Sequence, residues 1–557
     1  MLLAAGCSGG SPGATVPAPR APANAKEAVQ IVVHVPTRTG AGAHLRSPRY
    51  ISPSTQSLTI VVQQGANIVL SETANLTPTS TGCSSTLAST VCTLTLSLAA
   101  GSYTATVTTY DQLAGSGNVL SAGQGVPFTV LAGQANHIAL TLSGVPAGLF
   151  VAPQNTVTSG SMAHGFTLAG MQAQSFLVGA LDADGNFIVG AGAPTFGFST
   201  LSGSGWTITN PTSAQPGVFT IAPATTQNSS ATLQITATYG DTTCARSGAV
   251  CSATFAVKND LPTLFVAACS TSGCGNGDAV LVYEPPYTGS PTATITSGVD
   301  GPIQIARDGD RNLYVSNADA GSITEYAPPY SSGPATTISA VPAFGVSVTS
   351  GGEIAVSNLF HVAISSSILA SSPIDTLPMY GGGAPPAALD ASGDVWLVPD
   401  PGVVEDFTPS GFALGSVDVV GTPAALTVGP DGTVYVADPT NIVIAVPPYA
   451  ATQTYNATGA EAIAYDPSGD AIAAVGSPSE VVVINSTASL LKTITSGVAL
   501  TTPALLFAPQ LVACDDGYDI FVANNAAQTV TIYQPPYTAA PISIPTGYVP
   551  QGVLLGS

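Results

Sequence analysis

Oxygen-bearing side chains recur at one position of a short strand that is repeated in the second half of this chain of 557 residues. Four copies of the strand end in such a residue, namely Asn317, Asn358, Asp438 and Asn524. Two further residues of this kind, Asp300 and Glu461, lie in loops that lead into other strands. Because carboxylate and amide oxygens are the ligands that Ca²⁺ and Mg²⁺ prefer, these residues predict a candidate cation site. The alternative is structural, since Asn and Asp at a strand end also cap the following turn.

The repeated strand occurs seven times between residue 261 and the C-terminus. Its copies are LFVAA at Leu264, LYVSN at Leu313, IAVSN at Ile354, VWLVP at Val395, VYVAD at Val434, AIAAV at Ala471 and IFVAN at Ile520. Successive copies lie roughly 37 to 49 residues apart, which is the period of a four-stranded propeller blade. The sequence therefore predicts a seven-bladed β-propeller over residues 259–557, with the candidate cation ligands around one of its faces.

Turns rich in Asp and Gly precede the repeated strand in six of the seven copies. Examples are DGDRN at Asp308, DPSGD at Asp466 and DDGYD at Asp515, and a further strand precedes each turn. The first copy lacks both features, and QGVLLGS at the C-terminus could supply the missing strand. Pairing of the two ends predicts a closed ring, which removes exposed sheet edges. The acidic turns would gather on the opposite face, where calcium could also bind.

Two aromatic features recur with the repeat. One slot of the repeated strand holds Phe265, Tyr314, Trp396, Tyr435 and Phe521, and the motif PPY follows the third strand of four copies, ending at Tyr287, Tyr330, Tyr449 and Tyr537. The slot residues are predicted to pack between neighbouring blades. In the motif, two prolines end the strand and the tyrosine is predicted to fold over the blade edge.

The segments PIQIARDGDRNLYVSNADAGSITEYAPP and PAALTVGPDGTVYVADPTNIVIAVPP resemble NHL-like, YncE-like and SMP-30/gluconolactonase-like propellers, including the virginiamycin B lyase group. Enzymatic members of this group imply a divalent cation at the channel mouth, or a His/Glu acid–base pair. His361 is the only histidine of residues 259–557, and no glutamate stands at a spacing that would orient it. We therefore expect a non-catalytic binding or scaffold module, with a metal-dependent lactonase-like or lyase-like enzyme as the alternative.

Two further regions precede the repeat. Residues 28–143 and 144–258 contain short runs that alternate apolar and polar residues, which predicts two antiparallel β-sandwiches. The run LAAGSYTATVTTYD resembles strand–turn–strand units of transthyretin-like and immunoglobulin-like modules, and the second region is expected to be immunoglobulin-like. In ALDADGNFIVG, Asp182 and Gly185 predict a hairpin turn, because the later ligands of a calcium loop are absent.

The eight cysteines divide into close pairs and singles. The pairs are Cys83 with Cys92, Cys244 with Cys251, and Cys269 with Cys274, and three local disulfides predict an oxidising compartment. Cys514 is expected to be unpaired and buried.

Cys7 follows MLLAAG, which resembles the end of a bacterial lipoprotein signal, so we expect lipidation at Cys7 and a flexible tether within residues 1–27. The chain is then an envelope lipoprotein or a secreted protein, held to a membrane through the lipid alone.

Charge is scarce and unevenly distributed. Only 7% of the residues are charged, the net charge is −21, and 25 of the 31 acidic residues lie from Asp260 onward, with 3 of the 10 basic ones. Such a field excludes nucleic acid as a partner and favours cations or basic partners, although negative charge also keeps a β-rich surface soluble. We expect a monomer that binds a protein, glycan or small molecule, with no certain cofactor and with Ca²⁺ or Mg²⁺ as candidates only.

Overall fold

The computed structural model describes residues 25–37, 50–140, 142–156, 158–240, 242–271, 273–330, 333–339, 343–367, 375–379, 386–501 and 510–556. These residues form an all-β structure of mainly antiparallel sheets, and the only helices among them are three short 3₁₀ turns at Leu113–Gly115, Gly190–Gly192 and Thr243–Ala245. Within these ranges no helix is long and apolar enough to cross a membrane. The predicted lipidation site Cys7 lies outside the described residues.

The first nine strands form two facing sheets. They are β1 (Lys26–Pro36), β2 (Ser57–Gln64), β3 (Asn67–Asn75), β4 (Cys83–Ser85), β5 (Ser89–Ala99), β6 (Gly101–Tyr110), β7 (Val119–Val130), β8 (Asn136–His137) and β9 (Ser143–Gly144). The sheets have the orders β4-β5-β1-β8 and β3-β2-β6-β7-β9. In β1 every second residue from Val29 to Val35 is buried, so the predicted period-two pattern forms one core with β2, β5 and β6.

The next nine strands form a second pair of sheets. They are β10 (Gly148–Pro153), β11 (Thr158–Ser161), β12 (Gly165–Ala169), β13 (Gln174–Leu181), β14 (Thr195–Ser202), β15 (Thr207–Thr209), β16 (Val218–Ala222), β17 (Ser230–Thr238) and β18 (Ser252–Asp260). Their orders are β10-β13-β16-β15 and β11-β12-β18-β17-β14. Phenylalanines from both sheets meet in the core between them.

Both pairs of sheets depart from the predicted antiparallel arrangement at one place. β8 pairs with β1 in parallel, and β12 pairs with β18 in parallel. The alternation in HIALTLS, which begins at His137, predicts one more strand, and this is largely wrong, because only His137 and Ser143 of that run lie in described strands. Its Ile138, Leu140 and Leu142 are buried core residues. The alternation of apolar residues therefore reflects the burial of this segment, although these three residues lie outside the strands.

The repeat region contributes twenty-eight strands. They are β19 (Thr263–Cys269), β20 (Ala279–Tyr283), β21 (Ala293–Ile295), β22 (Pro302–Arg307), β23 (Leu313–Asn317), β24 (Ser322–Tyr326), β25 (Thr336–Ser339), β26 (Gly345–Val348), β27 (Ile354–Ser357), β28 (His361–Ser365), β29 (Asp375–Pro378), β30 (Ala388–Leu389), β31 (Val395–Leu397), β32 (Val403–Phe407), β33 (Ala413–Asp418), β34 (Ala425–Val428), β35 (Val434–Ala437), β36 (Asn441–Ala445), β37 (Thr452–Asn456), β38 (Ala460–Tyr465), β39 (Ala471–Val475), β40 (Glu480–Ile484), β41 (Leu490–Ile494), β42 (Val512–Cys514), β43 (Ile520–Asn524), β44 (Thr529–Tyr533), β45 (Ile542–Pro545) and β46 (Val549–Gly556).

These strands form seven four-stranded antiparallel sheets among the described residues. Sheet 1 has the order β46-β19-β20-β21, and sheets 2 to 7 each contain four consecutive strands, beginning with β22, β26, β30, β34, β38 and β42. β46 pairs with β19 from Thr263 opposite Gly556 to Cys269 opposite Val549. The first strands of neighbouring sheets contact one another in cyclic order, and β46 contacts both β42 and β22. This is a propeller-like arrangement around a central axis.

Side chains join the inner strands of neighbouring sheets. The Gln304 Oε1 atom accepts a hydrogen bond from the Val346 N–H at 3.1 Å, and the Ser347 Oγ atom accepts one from the Leu389 N–H at 3.0 Å. The Gln510 Oε1 atom, just before the first strand of sheet 7, accepts from the N–H of Ile305 in sheet 2 and so reaches past β46, the inner strand of sheet 1. Because inner strands expose one row of backbone groups, these side chains satisfy donors that would otherwise be buried and unpaired.

The two recurrent aromatic features pack against each other. Phe265, Trp396 and Phe521 each meet the PPY tyrosine of the next sheet edge to face, with ring centroids 5.0 to 5.5 Å apart. The slot residues therefore pack between neighbouring sheets, as predicted. Each PPY tyrosine also donates its hydroxyl to a backbone carbonyl, as Tyr449 does to Gly432 at 2.9 Å. The motif thus joins the outer part of a sheet to its own first turn.

The three predicted disulfides are present, between Cys83 and Cys92, Cys244 and Cys251, and Cys269 and Cys274. Cys514 is free, as predicted, but it is partly exposed and not fully buried. The predicted turn at Asp182 is also present, because its backbone N–H bonds to Asn186 and Gly185 has a φ of +76°. The Asp182 carboxylate accepts the Tyr50 hydroxyl at 2.8 Å, which joins the first pair of sheets to the second.

Candidate functional site

We call the two ends of the propeller-like region the turn face and the opposite face. The turn face carries the six turns between the first and second strands, beginning at Asp308, Thr349, Asp390, Gly429, Asp466 and Asp515. The opposite face carries the ends of the second strands. Because neighbouring strands are antiparallel, these two sets of residues lie at opposite ends of each sheet.

On the opposite face, side-chain oxygens of four of the six predicted cation ligands, Asn317, Asn358, Asp438 and Asn524, accept backbone hydrogen bonds. Asp438 is fully buried and accepts from the N–H groups of Thr440, Asn441 and Val420 at 2.6 to 3.2 Å. The Asn317 Oδ1 atom accepts from the Asp300 N–H at 3.1 Å. These contacts are those of the capping alternative, and the predicted cation-binding role remains a prediction.

The other strand-end asparagines on this face make similar contacts. The Asn358 Oδ1 atom accepts from the N–H groups of Phe360 and His361, and its amide nitrogen lies 2.8 Å from the His361 ring. The Asn524 Oδ1 atom accepts from the Ala499 N–H at 2.8 Å. Glu461 is buried too, and its carboxylate lies so close to Gly476 that a Cβ atom there would overlap it.

A group of three carboxylates includes only one residue that the sequence singled out. Oxygens of Asp278, Asp300 and Asp319 all lie within 4.8 Å of one another. Asp278 is buried and accepts backbone N–H groups from Ser270 and Gly301 at 2.7 and 2.9 Å. Burial, followed by the charges of Asp300 and Asp278, raises the pKa of Asp319. Asp278 and Asp319 lie in loops outside the repeated strand, so the repeat gave no signal for them.

A cavity of about 770 Å³ lies on the axis and reaches the turn face. Its wall includes residues of all seven inner strands, among them Gln304, Ser347, Ala388, Leu426, Ala464, Val512 and Val553. Its volume lies within the range of small-molecule sites, roughly 300–1,000 Å³. None of the six predicted cation ligands is among the lining residues. The sequence had no signal for this cavity, because its walls come from small apolar residues without a motif.

Three aspartates stand at the mouth of the cavity, namely Asp431, Asp466 and Asp516, and we call them the acidic rim. Asp431 and Asp516 are exposed, whereas Asp466 is only 5% exposed. Burial raises the pKa of Asp466 although backbone N–H groups oppose the shift. Burial, and then the charges of Asp431 and Asp516, raise the pKa of Tyr465. Both exposed aspartates therefore act on the hydroxyl group of this tyrosine.

Hydrogen bonds hold the turns around the rim together. The Tyr435 hydroxyl, from sheet 5, donates to the Gly469 carbonyl of sheet 6 at 2.9 Å. Ser468 of sheet 6 and Tyr518 of sheet 7 share a hydrogen bond at 2.6 Å. The Tyr435 ring also stacks on Tyr465, with centroids 5.5 Å apart. Three adjoining sheets therefore present the acidic rim on cross-linked turns and not on independent loops.

Cys514 also lines the cavity. Burial, and then the charges of Asp515 and Asp466, raise the pKa of its thiol well above the ordinary value. The thiolate is the nucleophilic form of cysteine, so this environment suppresses cysteine chemistry at neutral pH. The thiol is therefore expected to react slowly at neutral pH, and its alkylation reports on access to the cavity wall.

The second pair of sheets contacts the turn face beside the rim. The Met171 N–H donates to the Asp519 carboxylate at 3.2 Å. Gly517 lies so close to Gly170 that a Cβ atom on Gly517 would be 2.3 Å from the Gly170 Cα atom. Burial raises the pKa of Asp519 to about 6. Because Asp516 belongs to the same turn, one edge of the mouth is fixed by this contact.

One buried carboxyl group breaks the repeat on sheet 4. Asp406 is opposite Trp396 in the strand ladder, whereas Ile444 of sheet 5 and Ile532 of sheet 7 occupy the corresponding place. Within the described residues, Asp406 Oδ1 and Trp396 Nε1 have no hydrogen-bond partner. Burial, and then the charges of Asp394 and Asp390, raise the pKa of Asp406 to about 7.

No protein-family model matches the chain, and no curated protein matches it. Solved structures that are similar include a functionally unknown protein from Desulfotomaculum acetoxidans, with 16% identity, a TM-score of 0.44, and coverage of 53% of this chain and 98% of that chain. AztD from Citrobacter koseri is 12% identical with a TM-score of 0.37, and the match covers 53% of this chain and 98% of that chain. A streptogramin B lyase is 13% identical with a TM-score of 0.35, and the match covers 44% of this chain and 82% of that chain. At these identities, no activity or ligand passes from them to this chain.

Proposed function

We propose that residues 259–557 form a closed seven-bladed propeller that binds a small molecule in its central cavity, in a non-catalytic envelope lipoprotein or secreted protein. The single observation that carries the proposal is the cavity, to which all seven inner strands contribute and which opens on the turn face. A concave site with apolar walls and a few convergent polar groups is the usual form of a ligand site.

We also propose the organisation of the rest of the chain. Residues 1–27 would be a signal remnant and a tether lipidated at Cys7, and residues 28–143 and 144–258 would be two sandwiches, the second immunoglobulin-like. The repeat would belong to the NHL-like, YncE-like and SMP-30-like propellers. Three disulfides support an extracytoplasmic location. The sandwiches would then present the propeller, which they contact beside the cavity mouth.

The test of cavity binding is a fluorescent titration of the full chain with N-acetyl dansylcadaverine, a neutral dye whose emission rises in apolar surroundings. Ala464 lines the cavity and is partly exposed, so Ala464→Trp should fill part of it and weaken binding by about tenfold or more, roughly 1.4 kcal/mol. Ala413→Trp, on an exposed edge strand, is the matched control and should leave the affinity unchanged. Equal affinities for both variants would reject the cavity as the site.

The second candidate is a metal-dependent lactonase-like or lyase-like enzyme acting on the opposite face. The observation that favours it is the group formed by Asp278, Asp300 and Asp319, whose oxygens suit Ca²⁺ or Mg²⁺. If this candidate is right, calcium chloride raises the melting temperature and Asp319→Asn removes the rise. An unchanged melting temperature with calcium and with chelator rejects a metal at this group.

A further inference from the structure

The charged groups that line the cavity all have the same sign. The lining contains the three aspartates of the acidic rim, and no Lys, Arg or His is among the described lining residues. The surrounding region adds to the field, because residues 260–557 hold 25 acidic residues and 3 basic ones. A negative potential focused in a concave mouth attracts cations and repels anions. An anionic ligand is therefore the least suitable occupant.

Asp466 is the rim residue best placed to bind a ligand directly. It is only 5% exposed, yet it lines the cavity. The N–H groups of Ser468 and Asp470 both donate to its Oδ1 atom, at 2.8 and 2.9 Å. The turn is therefore satisfied through one oxygen, and the second oxygen has capacity for a donor from a ligand. A charge-assisted hydrogen bond of this kind is stronger than a neutral one.

Tyr465 supplies a second contact that suits a cation. Its ring lines the cavity and is stacked on Tyr435, whose hydroxyl is bound to the next turn. A tyrosine face attracts an ammonium or guanidinium group through the quadrupole of its ring. The ring is therefore held in place beside carboxylates, which is an arrangement that recognises organic cations.

The deeper wall argues against a bare metal ion as the ligand. Below the rim the inner strands contribute partly exposed apolar side chains, such as Leu426, Ala464 and Leu554. A Ca²⁺ or Mg²⁺ ion takes six or more oxygen ligands and has no use for these groups. An occupant with an apolar body would cover these partly exposed groups from water, which favours binding.

We propose that the cavity selects an organic cation, in which an ammonium or amidinium group meets Asp466, Asp516 and Tyr465 while an apolar body fills the space between the inner strands. This inference rests on the proposed function, since it names the ligand class of the same cavity. It adds a requirement that simple cavity binding does not have, namely a preference for positive charge that depends on the rim.

The test compares three dyes that share one fluorophore. Dansylcadaverine carries an ammonium group, its N-acetyl form is neutral, and dansylated aminocaproate is an anion. At low ionic strength we expect the wild-type chain to bind the ammonium dye at least about tenfold more tightly than the neutral dye, and the anion least tightly. Half-molar sodium chloride should reduce the preference, because salt screens the exposed part of the rim.

Two double variants of equal net charge locate the preference. Asp466→Asn with Asp516→Asn removes two rim charges, and asparagine keeps an acceptor for the turn at residue 466. The control, Asp400→Asn with Asp418→Asn, removes two exposed charges that do not line the cavity. The rim variant should reduce the preference to about twofold or less, whereas the control should keep it. Asp516→Asn alone, on an exposed side chain, gives the same test at smaller amplitude if the double rim variant does not fold.

The outcomes separate this inference from the proposed function. If the neutral dye binds and Ala464→Trp weakens it, but the ammonium dye binds no more tightly, the cation inference is wrong and the cavity proposal stands. An ammonium preference that is equal in the rim and control variants also overturns the inference, because the field would then be general. If no dye binds, or if Ala464→Trp changes nothing, the proposed function itself fails.

Discussion

The two faces of the propeller-like region use acidic and amide side chains in different ways. On the opposite face, the buried Asp438 has its carboxylate bound by several backbone N–H groups. On the turn face, Asp466 has one oxygen engaged by the turn and stands at the mouth of a cavity with two other carboxylates. Similar residue types at the two ends of the same sheets therefore have different partners.

The difference shows that a recurring polar residue is not by itself a sign of a binding site. In four of the seven copies an Asn or Asp ends the second strand, and at Asn317 and Asp438 it accepts backbone N–H groups, which is a sufficient reason for the residue to recur. The turn face also has capping aspartates, but three of its turns meet around an opening. Function is therefore expected where the repeat surrounds empty space and not where it repeats most faithfully.

The largest expected effect comes from removing β46, which provides the inner strand of sheet 1 and contacts both β42 and β22. Deletion of residues 549–557 would open the ring and expose the cavity wall that Val553 and Leu555 supply. We expect the melting temperature of the repeat region to fall by about 10 °C or more, and dye binding to be lost. Calorimetry and titration measure both. Unchanged melting would refute closure of the ring by this strand.

The next largest effect should be found at Asp438 on the opposite face. Asp438→Ala removes an acceptor from buried N–H groups and should lower the free energy of unfolding by roughly 2–4 kcal/mol. Urea denaturation measures the loss, and Asp418→Ala, on an exposed side chain, is the control. The affinity for dansylcadaverine should not change, because Asp438 does not line the cavity. A stable variant with weakened binding would break the distinction between the faces.

A smaller, pH-dependent effect is expected at Asp406, between sheets 4 and 5. Its pKa is raised to about 7 from 3.8, so the folded state favours the protonated carboxyl group. The contribution of Asp406 to the free energy of unfolding is therefore greatest below pH 3.8, falls as the pH rises to about 7, and stays level above that. The titratable groups around it are Asp390 and Asp394 on the same sheet and Tyr449 on the next.

Asp406→Ile, which restores the residue of sheet 5, should abolish this part of the pH dependence. The variant should gain more stability relative to wild type at about pH 8 than at about pH 4, as measured by urea denaturation. Asp406→Asn tests charge alone at the same size and should show the same trend. A gain that is equal at both pH values would mean that ionisation of Asp406 does not cost stability.

The smallest expected effect concerns the PPY motif. Tyr449→Phe keeps the ring against Trp396 and removes only the hydrogen bond to the Gly432 carbonyl. We expect a loss of about 1 kcal/mol in the free energy of unfolding. Tyr455→Phe, on the outermost strand of the same sheet, should have little effect. Equal effects at the two tyrosines would remove the role given to the motif in holding the turn face.

The repeat made much of the fold predictable, and the reason is physical. Strands such as LYVSN and VYVAD are buried on both faces and flanked by obligatory turns, so composition and spacing indicate their place. The three disulfides followed from sequence proximity. Strand β14 was missed because few of its residues are buried, which leaves little periodic signal in a sequence.

The candidate site was much less predictable. Asp278 and Asp319 come together only because loops of sheets 1 and 2 meet, which no spacing within the repeat encodes. The cavity wall consists of residues such as Ala388 and Ala464 that carry no chemistry of their own. Asp466 was noticed as a turn residue, but its place at one cavity mouth with Asp516 depends on how the turns of sheets 6 and 7 meet. The sequence shows the types of these residues, but the cavity exists only because the inner strands of all seven sheets come together around one axis.

The most direct test of the central claim uses Cys514, the one free cysteine within the described part of the chain, which lines the cavity. Because burial raises the pKa of its thiol, alkylation by iodoacetamide is run at about pH 9, where more thiolate is present, and is followed by peptide mass spectrometry in the full chain, with and without dansylcadaverine. Binding in the cavity predicts that saturating dye slows alkylation of Cys514, and that the rim variant needs more dye for the same protection. An unchanged alkylation rate at saturating dye would contradict the account, because the cation would then bind elsewhere.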